Sequence, residues 1–111
     1  MKEEFLNIPL VKNEKEHRFE IVVEGSIAFI DYKETHSQIA LIHTEVPKEI
    51  GGKGVAAALV EKTMNYLEKH HNSVLPFCPY IFAHIKKHPE WKRIVDNSFK
   101  GYDKLIRGIN E

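Results

Sequence analysis

The chain has 111 residues, of which 42% are hydrophobic and 29% charged, a composition typical of one soluble globular domain. Its 16 basic and 16 acidic side chains cancel, so the net charge gives no long-range attraction to nucleic acid or to a membrane. We expect neither a secretory signal nor a membrane span, and the solitary Cys78 cannot form an intramolecular disulfide, so we predict a cytoplasmic protein.

The first elements predicted along the chain are three antiparallel strands. Residues 18–23 and 26–32 flank a two-residue turn of glutamate and glycine, which is typical of a hairpin. A second polar turn leads to an apolar strand over residues 38–46, and Pro47 ends it because proline lacks a backbone N–H. We therefore expect a β-meander in the first half of the fold.

A glycine-rich loop comes next and leads directly into an amphipathic helix over residues 54–70. Glycine allows the backbone to turn sharply and approach a ligand, and the first N–H groups of a helix attract anions. We predict that a phosphate-bearing ligand binds here, at Gly51, Gly52, Lys53, Gly54, Val55 and Ala56. Lys53 either contacts the phosphates or is only solvated. The apolar stripe of the helix is predicted at Ala56, Val60, Met64 and Leu67.

The remaining predicted elements are shorter. Residues 73–77 form a strand in which Pro76 suits a sheet edge or an irregular ladder. Pro79 begins a helix, and Pro89 begins another short helix that ends near residue 96. The tail, residues 98–111, has weak periodicity and predicts no definite element.

Two other phosphate-binding motifs have similarly spaced glycines. The nucleotide-triphosphate loop is excluded, because Pro47 replaces its first glycine and Gly54 its hydroxyl residue. The dinucleotide fingerprint is formally met by Gly52, Gly54 and Ala57, but no carboxylate ends the next strand and the elements do not form repeated βαβ units. The other alternative is a glycine-rich turn that binds no ligand.

Four ordered motifs resemble those of the GNAT acetyltransferase superfamily. Its acetyl-coenzyme A loop, Gln/Arg-x-x-Gly-x-Gly/Ala, is similar to residues 51–56, although Gly51 stands where the superfamily usually has Gln or Arg. Residues 43–47, 78–80 and 88–91 extend the resemblance to small single-domain members that lack the usual N-terminal helices. The resemblance covers about residues 19–95.

This resemblance implies an α+β, three-layer-like fold with a mostly antiparallel sheet, splayed central strands and flanking helices. A single domain is expected over residues 1–111, with its core at about 18–95. The resemblance also implies an acetyl-coenzyme A-dependent N-acetyltransferase acting on a primary amine of a protein or a small molecule. The alternative is a module that binds coenzyme A without turnover. We expect a monomer without nucleic-acid or membrane partners.

The resemblance further implies where the thioester lies. In the superfamily the pantetheine arm lies between the fourth and fifth strands, which here end at Val46 and Phe77. The thioester is then expected near His43, Glu45, Val46 and Cys78. The N–H of Val46 would stabilise the developing oxyanion.

Four side chains are candidates for catalysis. His43 and Glu45 are two residues apart on one strand face, and either could deprotonate an amine. Cys78, at the first turn of a helix, could accept the acetyl group, and Tyr80 could protonate the departing thiolate. The structural alternatives are polar residues at a strand end, a small buried residue in a turn, and a core tyrosine.

The histidine pattern does not predict a metal site. His84 and His88 have i, i+4 spacing, and His70 and His71 are adjacent. The glutamate of a His-Glu-x-x-His motif is absent, and neighbouring residues supply no further ligands at suitable spacing. We therefore predict no metal.

Overall fold

The sheet has five strands in the spatial order β1-β2-β3-β4-β5, as seen in a computed structural model that describes residues 1–108. All neighbouring strands are antiparallel except β4 and β5, which are parallel. The strands are β1 (Val11–Asn13), β2 (Arg18–Val23), β3 (Ser26–Thr35), β4 (Gln38–Glu45) and β5 (Ser73–Pro76). The predicted α+β class with a mostly antiparallel sheet is confirmed.

Three α-helices and several 3₁₀ segments complete the described fold. The α-helices are α1 (Val55–Lys69), α2 (Pro79–Lys87) and α3 (Tyr102–Arg107). The 3₁₀ segments are Glu3–Phe5, Lys48–Ile50 and Pro89–Ile94. None of the described helices is both long and apolar enough to cross a membrane.

The predicted meander is present, and a two-residue turn joins β2 and β3 into the predicted hairpin. Glu24 and Gly25 have φ angles of 50° and 81°, the left-handed pair that connects twisted antiparallel strands in two residues. The predicted strand with the internal proline is also present, and Pro76 ends β5 as expected of a strand with one partner in the sheet. Strand β1 was not predicted, because three residues are too few to show an alternating pattern.

A β-bulge in β4 changes which side chains face the core. Asp31 of β3 pairs with His43, but the next residue, Tyr32, pairs with Leu41. Ile42 is therefore an extra residue in β4, and the inward and outward positions exchange beyond it. Before the bulge Leu41 faces the core beside Tyr32.

The hydrophobic core lies on one face of β2 and β3. Phe19 and Ile21 of β2 pair with Ile30 and Ala28 of β3, and all four are fully buried. The opposite face carries Val22 and Ile27, each about half exposed. A second helical layer is not seen on that face among residues 1–108, so sheet and helices form two layers there.

Helix α1 covers the core face. Its buried residues are Val55, Ala58, Leu59, Val60, Thr63, Met64 and Leu67. The predicted stripe is correct for Val60, Met64 and Leu67 but wrong for Ala56, which is only partly buried. The helix presents a wider stripe than predicted because it packs on the sheet and also beside α2.

The C-terminal tail contains more structure than its weak periodicity predicts. Helix α3 buries Leu105 and packs against α2, and Phe99 is also buried. Six residues are too few for a periodic pattern, so only these contacts reveal the helix. The last part of the tail, residues 109–111, lies outside the described residues.

Candidate active site

The sheet opens where β4 continues past the end of β5. The two strands pair from Gln38 with Ser73 to Leu41 with Pro76, and the backbone N–H of Cys78 donates to the carbonyl of Leu41 at 2.9 Å. Beyond that point the last three residues of β4 pair only with β3. The free edge of β4 and the start of α2 therefore form the two sides of a cleft.

The glycine loop lies at the end of β4, immediately before α1. Gly52 and Gly54 have φ angles of 74° and 89°, a region in which a side chain is strained, whereas Gly51 is extended. No side chain caps the helix, and the N–H groups from Gly52 to Ala57 donate no hydrogen bond to residues 1–108. This run of free donors at a helix N-terminus is a site for an anion.

Two lysines lie close to the loop. Lys53 pairs with the carboxylate of Glu24 in the hairpin turn, at 2.9 and 3.0 Å, so its ammonium is engaged within the protein. The chain of Lys2 lies beside Gly54, where an added Cβ would come within 3.5 Å of Lys2 Cε. Sequence reasoning missed Lys2, because no sequence pattern indicates that the N-terminus folds against the loop.

Cys78 and Thr44 are in direct contact between β4 and the start of α2. Cys78 precedes the first residue of α2 and is 4% exposed, and its Sγ lies 3.4 Å from Thr44 Oγ1. Thr44 pairs with the buried Ile30 and thus points to the core face of the sheet. Sequence reasoning missed Thr44, because an unbulged strand would have directed it to the opposite face.

His43 and Glu45 lie together on the open face of the sheet. They pair with Asp31 and Phe29 of β3, and His43 Nε2 donates to Glu45 Oε1 at 3.1 Å. Both side chains are more than half exposed. Their common strand face agrees with the sequence analysis. They point away from Cys78, because Thr44, which contacts Cys78, lies on the opposite face of β4.

The remaining two candidates lie at opposite sides of the cleft. Tyr80, in the first turn of α2, is 43% exposed, so it is not the fully buried core residue of the alternative interpretation. Partial burial and the neighbouring Cys78 raise the pKa of Tyr80, which keeps its hydroxyl protonated near neutral pH. On the β4 side, the N–H of Val46 donates no hydrogen bond to the described residues.

The chain matches a known protein family. A family model described as GCN5-related N-acetyl-transferase matches residues 18–94, which is more than half of the chain. The matched region begins at β2 and ends with the 3₁₀ segment Pro89–Ile94. It therefore includes the loop, the cleft and all the candidate side chains predicted from the sequence, but not Lys2.

Proposed function

Since this chain belongs to the GCN5-related N-acetyltransferase family, we propose that it transfers an acetyl group from acetyl-coenzyme A to a primary amine. Family membership supports acetyltransferase activity in general. The observation that carries the proposal is the run of unpaired N–H groups from Gly52 to Ala57, which follows the part of β4 that borders the cleft. Such donors match the pyrophosphate of coenzyme A.

The pantetheine and thioester parts of acetyl-coenzyme A are chemically suited to the cleft. The pantetheine arm contains two amides, which can pair with the free edge of β4 as an added strand does. The N–H of Val46 is then available to the thioester carbonyl, and it stabilises the negative charge that develops on that oxygen. Lys53 contributes to phosphate binding only by giving up its pairing with Glu24.

The acceptor approaches from the open face in this proposal. His43 removes a proton from the ammonium group, with Glu45 hydrogen-bonded to the imidazole, and the free amine attacks the thioester carbon. The carbon–sulfur bond breaks, the coenzyme A thiolate takes a proton from Tyr80, and the acylated nitrogen returns a proton through solvent to the Tyr80 oxygen, which leaves a neutral amide. In the covalent variant the Cys78 sulfur attacks the thioester first and expels coenzyme A, whose thiolate receives the proton that the Cys78 thiol gives up. The amine then attacks the acetyl-cysteine and releases the Cys78 thiolate, which takes up the proton that the nitrogen loses.

Incubation of the purified chain with acetyl-coenzyme A and a set of primary amines tests this proposal. The set includes a peptide with a free N-terminus, a lysine-containing peptide and a small polyamine. We expect thiol release to match the acetylated amine mole for mole. If acetyl-coenzyme A binds saturably but thiol release does not exceed that of a control without protein, the chain does not catalyse acetyl transfer. It is then the alternative, a module that only binds coenzyme A.

The Cys78→Ala variant separates the two routes. In the covalent route the wild-type protein gains one acetyl group by mass spectrometry before an amine is added, and Cys78→Ala loses both that label and turnover. In the direct route Cys78→Ala retains turnover. Binding of acetyl-coenzyme A by the variant, measured by calorimetry, shows that its cleft is intact.

A further inference from the structure

The groove between α1 and α2 contains a cluster of side chains that the proposed acetyl transfer does not use. Glu61 belongs to α1, His88 follows the last residue of α2, and Glu90 lies in the next 3₁₀ segment. Each has one ligand atom within 4.8 Å of the other two. All three line a cavity of about 550 Å³. The fold thus brings Glu61 next to His88 and Glu90, which lie much further along the sequence.

Glu61 is held in a fixed orientation by two neighbours. His84 Nε2 and Trp91 Nε1 both donate to Glu61 Oε2, each at 2.7 Å, and the side chain of His84 is only 5% exposed. The other oxygen, Oε1, has no hydrogen-bond partner among the described residues. In metal sites, hydrogen bonds to one oxygen of a carboxylate commonly orient the other oxygen toward the ion.

The local charge also favours a cation. No lysine or arginine nitrogen within residues 1–108 lies within 4.0 Å of the carboxylate of Glu61 or Glu90. Arg93 is the nearest guanidinium in sequence, but it donates to Glu68 and to the backbone carbonyl of Glu90. Lys2 lines the same cavity but forms no ion pair with either carboxylate, so the ionic partners of the two carboxylates within the described residues are the histidines.

We propose that Glu61, His88 and Glu90 bind a divalent transition-metal cation, for which Zn²⁺ is the best fit. Imidazole is a ligand that Zn²⁺ accepts readily, whereas Mg²⁺ and Ca²⁺ prefer oxygen alone. Zinc–ligand bonds are about 2.0–2.2 Å long, which places tetrahedral ligand atoms about 3.4 Å apart. Ligand atoms that lie up to 4.8 Å apart must therefore approach one another by up to about 1.4 Å. Side-chain rotation allows this, because His88 and Glu90 are about half exposed.

None of the three ligands takes part in the proposed acetyl transfer. The cavity also reaches the start of α1, where Gly54 and Ala57 line it, so the zinc titration is made without acetyl-coenzyme A. A bound ion would connect α1, the end of α2 and the following 3₁₀ segment. The sequence analysis discounted a metal because the glutamate of a His-Glu-x-x-His motif is absent and no further ligands stand at suitable spacing. Glu61 lies far from His88 along the chain, and only helix packing brings the two residues together.

Titration of the untagged, chelator-treated chain with ZnCl₂ in a calorimeter tests the site. We expect one Zn²⁺ per chain, and affinity reduced at least about ten-fold in His88→Asn and in Glu90→Gln. Two exposed residues outside the cluster give matched controls, His36→Asn and Glu16→Gln, which retain wild-type affinity. Co²⁺ gives a second readout, since its visible spectrum reports imidazole and carboxylate ligation.

Three results would overturn the proposal. They are absence of stoichiometric Zn²⁺ binding at concentrations up to the order of 1 mM, unchanged affinity in His88→Asn and Glu90→Gln, or equal losses in the control variants. Circular dichroism of each variant confirms that it is folded, which we expect because His88 and Glu90 are exposed.

Discussion

At the scale of single residues, Asp96 shows how one carboxylate fixes the edge of the sheet. Ser73 of β5 donates to its Oδ2 at 2.7 Å, and the N–H and hydroxyl of Ser98 donate to Oδ1 at 2.9 and 2.6 Å. Gln38 of β4 adds a contact at 3.2 Å. These hydrogen bonds, with those from Ser98 the largest influence, hold the pKa of Asp96 far below its ordinary value of 3.8.

We predict that Asp96→Asn lowers the free energy of unfolding at pH 7 by about 1–2 kcal/mol, because hydrogen bonds to a charged acceptor are lost. A carboxylate with a lowered pKa contributes stability above its unfolded pKa and loses it as the pH falls toward the folded pKa. Urea titrations should therefore show that the difference in the free energy of unfolding between wild type and variant decreases as the pH falls below about 3.8. The control Asp103→Asn removes only an exposed pair with Arg107, and equal stability of Asp96→Asn and wild type at pH 7 would contradict the prediction.

His43 gives a second prediction at this scale. We predict that His43→Gln lowers kcat/KM for acetyl transfer by about 100-fold, because a general base contributes at least that factor. Affinity for acetyl-coenzyme A should change less than about two-fold, since the imidazole lies on the open face. Steady-state kinetics and calorimetry check the two values, with His36→Asn as the control. Equal losses in rate and cofactor affinity would argue against a role as base.

At the scale of elements, the loop depends on two glycines with positive φ. We predict that Gly52→Ala loses about 1 kcal/mol of stability, because alanine is strained at a φ of 74°. It should also weaken acetyl-coenzyme A binding at least about ten-fold by redirecting the free N–H groups. Urea unfolding and calorimetry give the two values.

Gly108 is the matched control for this experiment. Its φ is 69°, and an added Cβ would meet nothing within 4 Å, as at Gly52, but it follows α3 far along the chain from the loop. Gly108→Ala should therefore show a similar loss of stability with unchanged affinity. If both variants bind acetyl-coenzyme A equally well, the loop geometry is not required for binding.

Elements with a strong local sequence pattern could be predicted from the sequence. Features that arise only when strands pair or helices pack could not. Alternation and turn residues predicted β2, β3 and β4, and the glycines with the apolar period predicted the loop and α1. The bulge at Ile42 exists only because β4 pairs with β3, so the sequence could not show that Thr44 and Cys78 would meet. The contact between Glu61 and His84 likewise depends on how α1 and α2 pack.

At the scale of the whole molecule, the helical layer is held together through Glu61. Its carboxylate accepts hydrogen bonds from α2 and from the following 3₁₀ segment, and thereby connects both to α1. We predict that Trp91→Phe, in the metal-free chain, lowers the free energy of unfolding by about 1–2 kcal/mol, because a donor to a carboxylate is removed. Chemical denaturation measures the change.

Tyr102→Phe is the control for Trp91→Phe, because the Tyr102 hydroxyl makes no side-chain hydrogen bond within the described residues. Its stability should remain within about 0.5 kcal/mol of wild type. A Trp91→Phe variant as stable as Tyr102→Phe would show that the Glu61 connection contributes nothing measurable to the fold.

The central claim is that the free N–H groups at the start of α1 bind the pyrophosphate of acetyl-coenzyme A. Titration of the isotope-labelled protein, followed by amide nuclear magnetic resonance, tests it most directly. We predict that the largest shifts occur at Gly52, Gly54, Val55 and Ala56, and that S-acetyl-pantetheine, which lacks the pyrophosphate, leaves these signals in place. Unmoved signals at these four amides in saturating acetyl-coenzyme A would contradict the account.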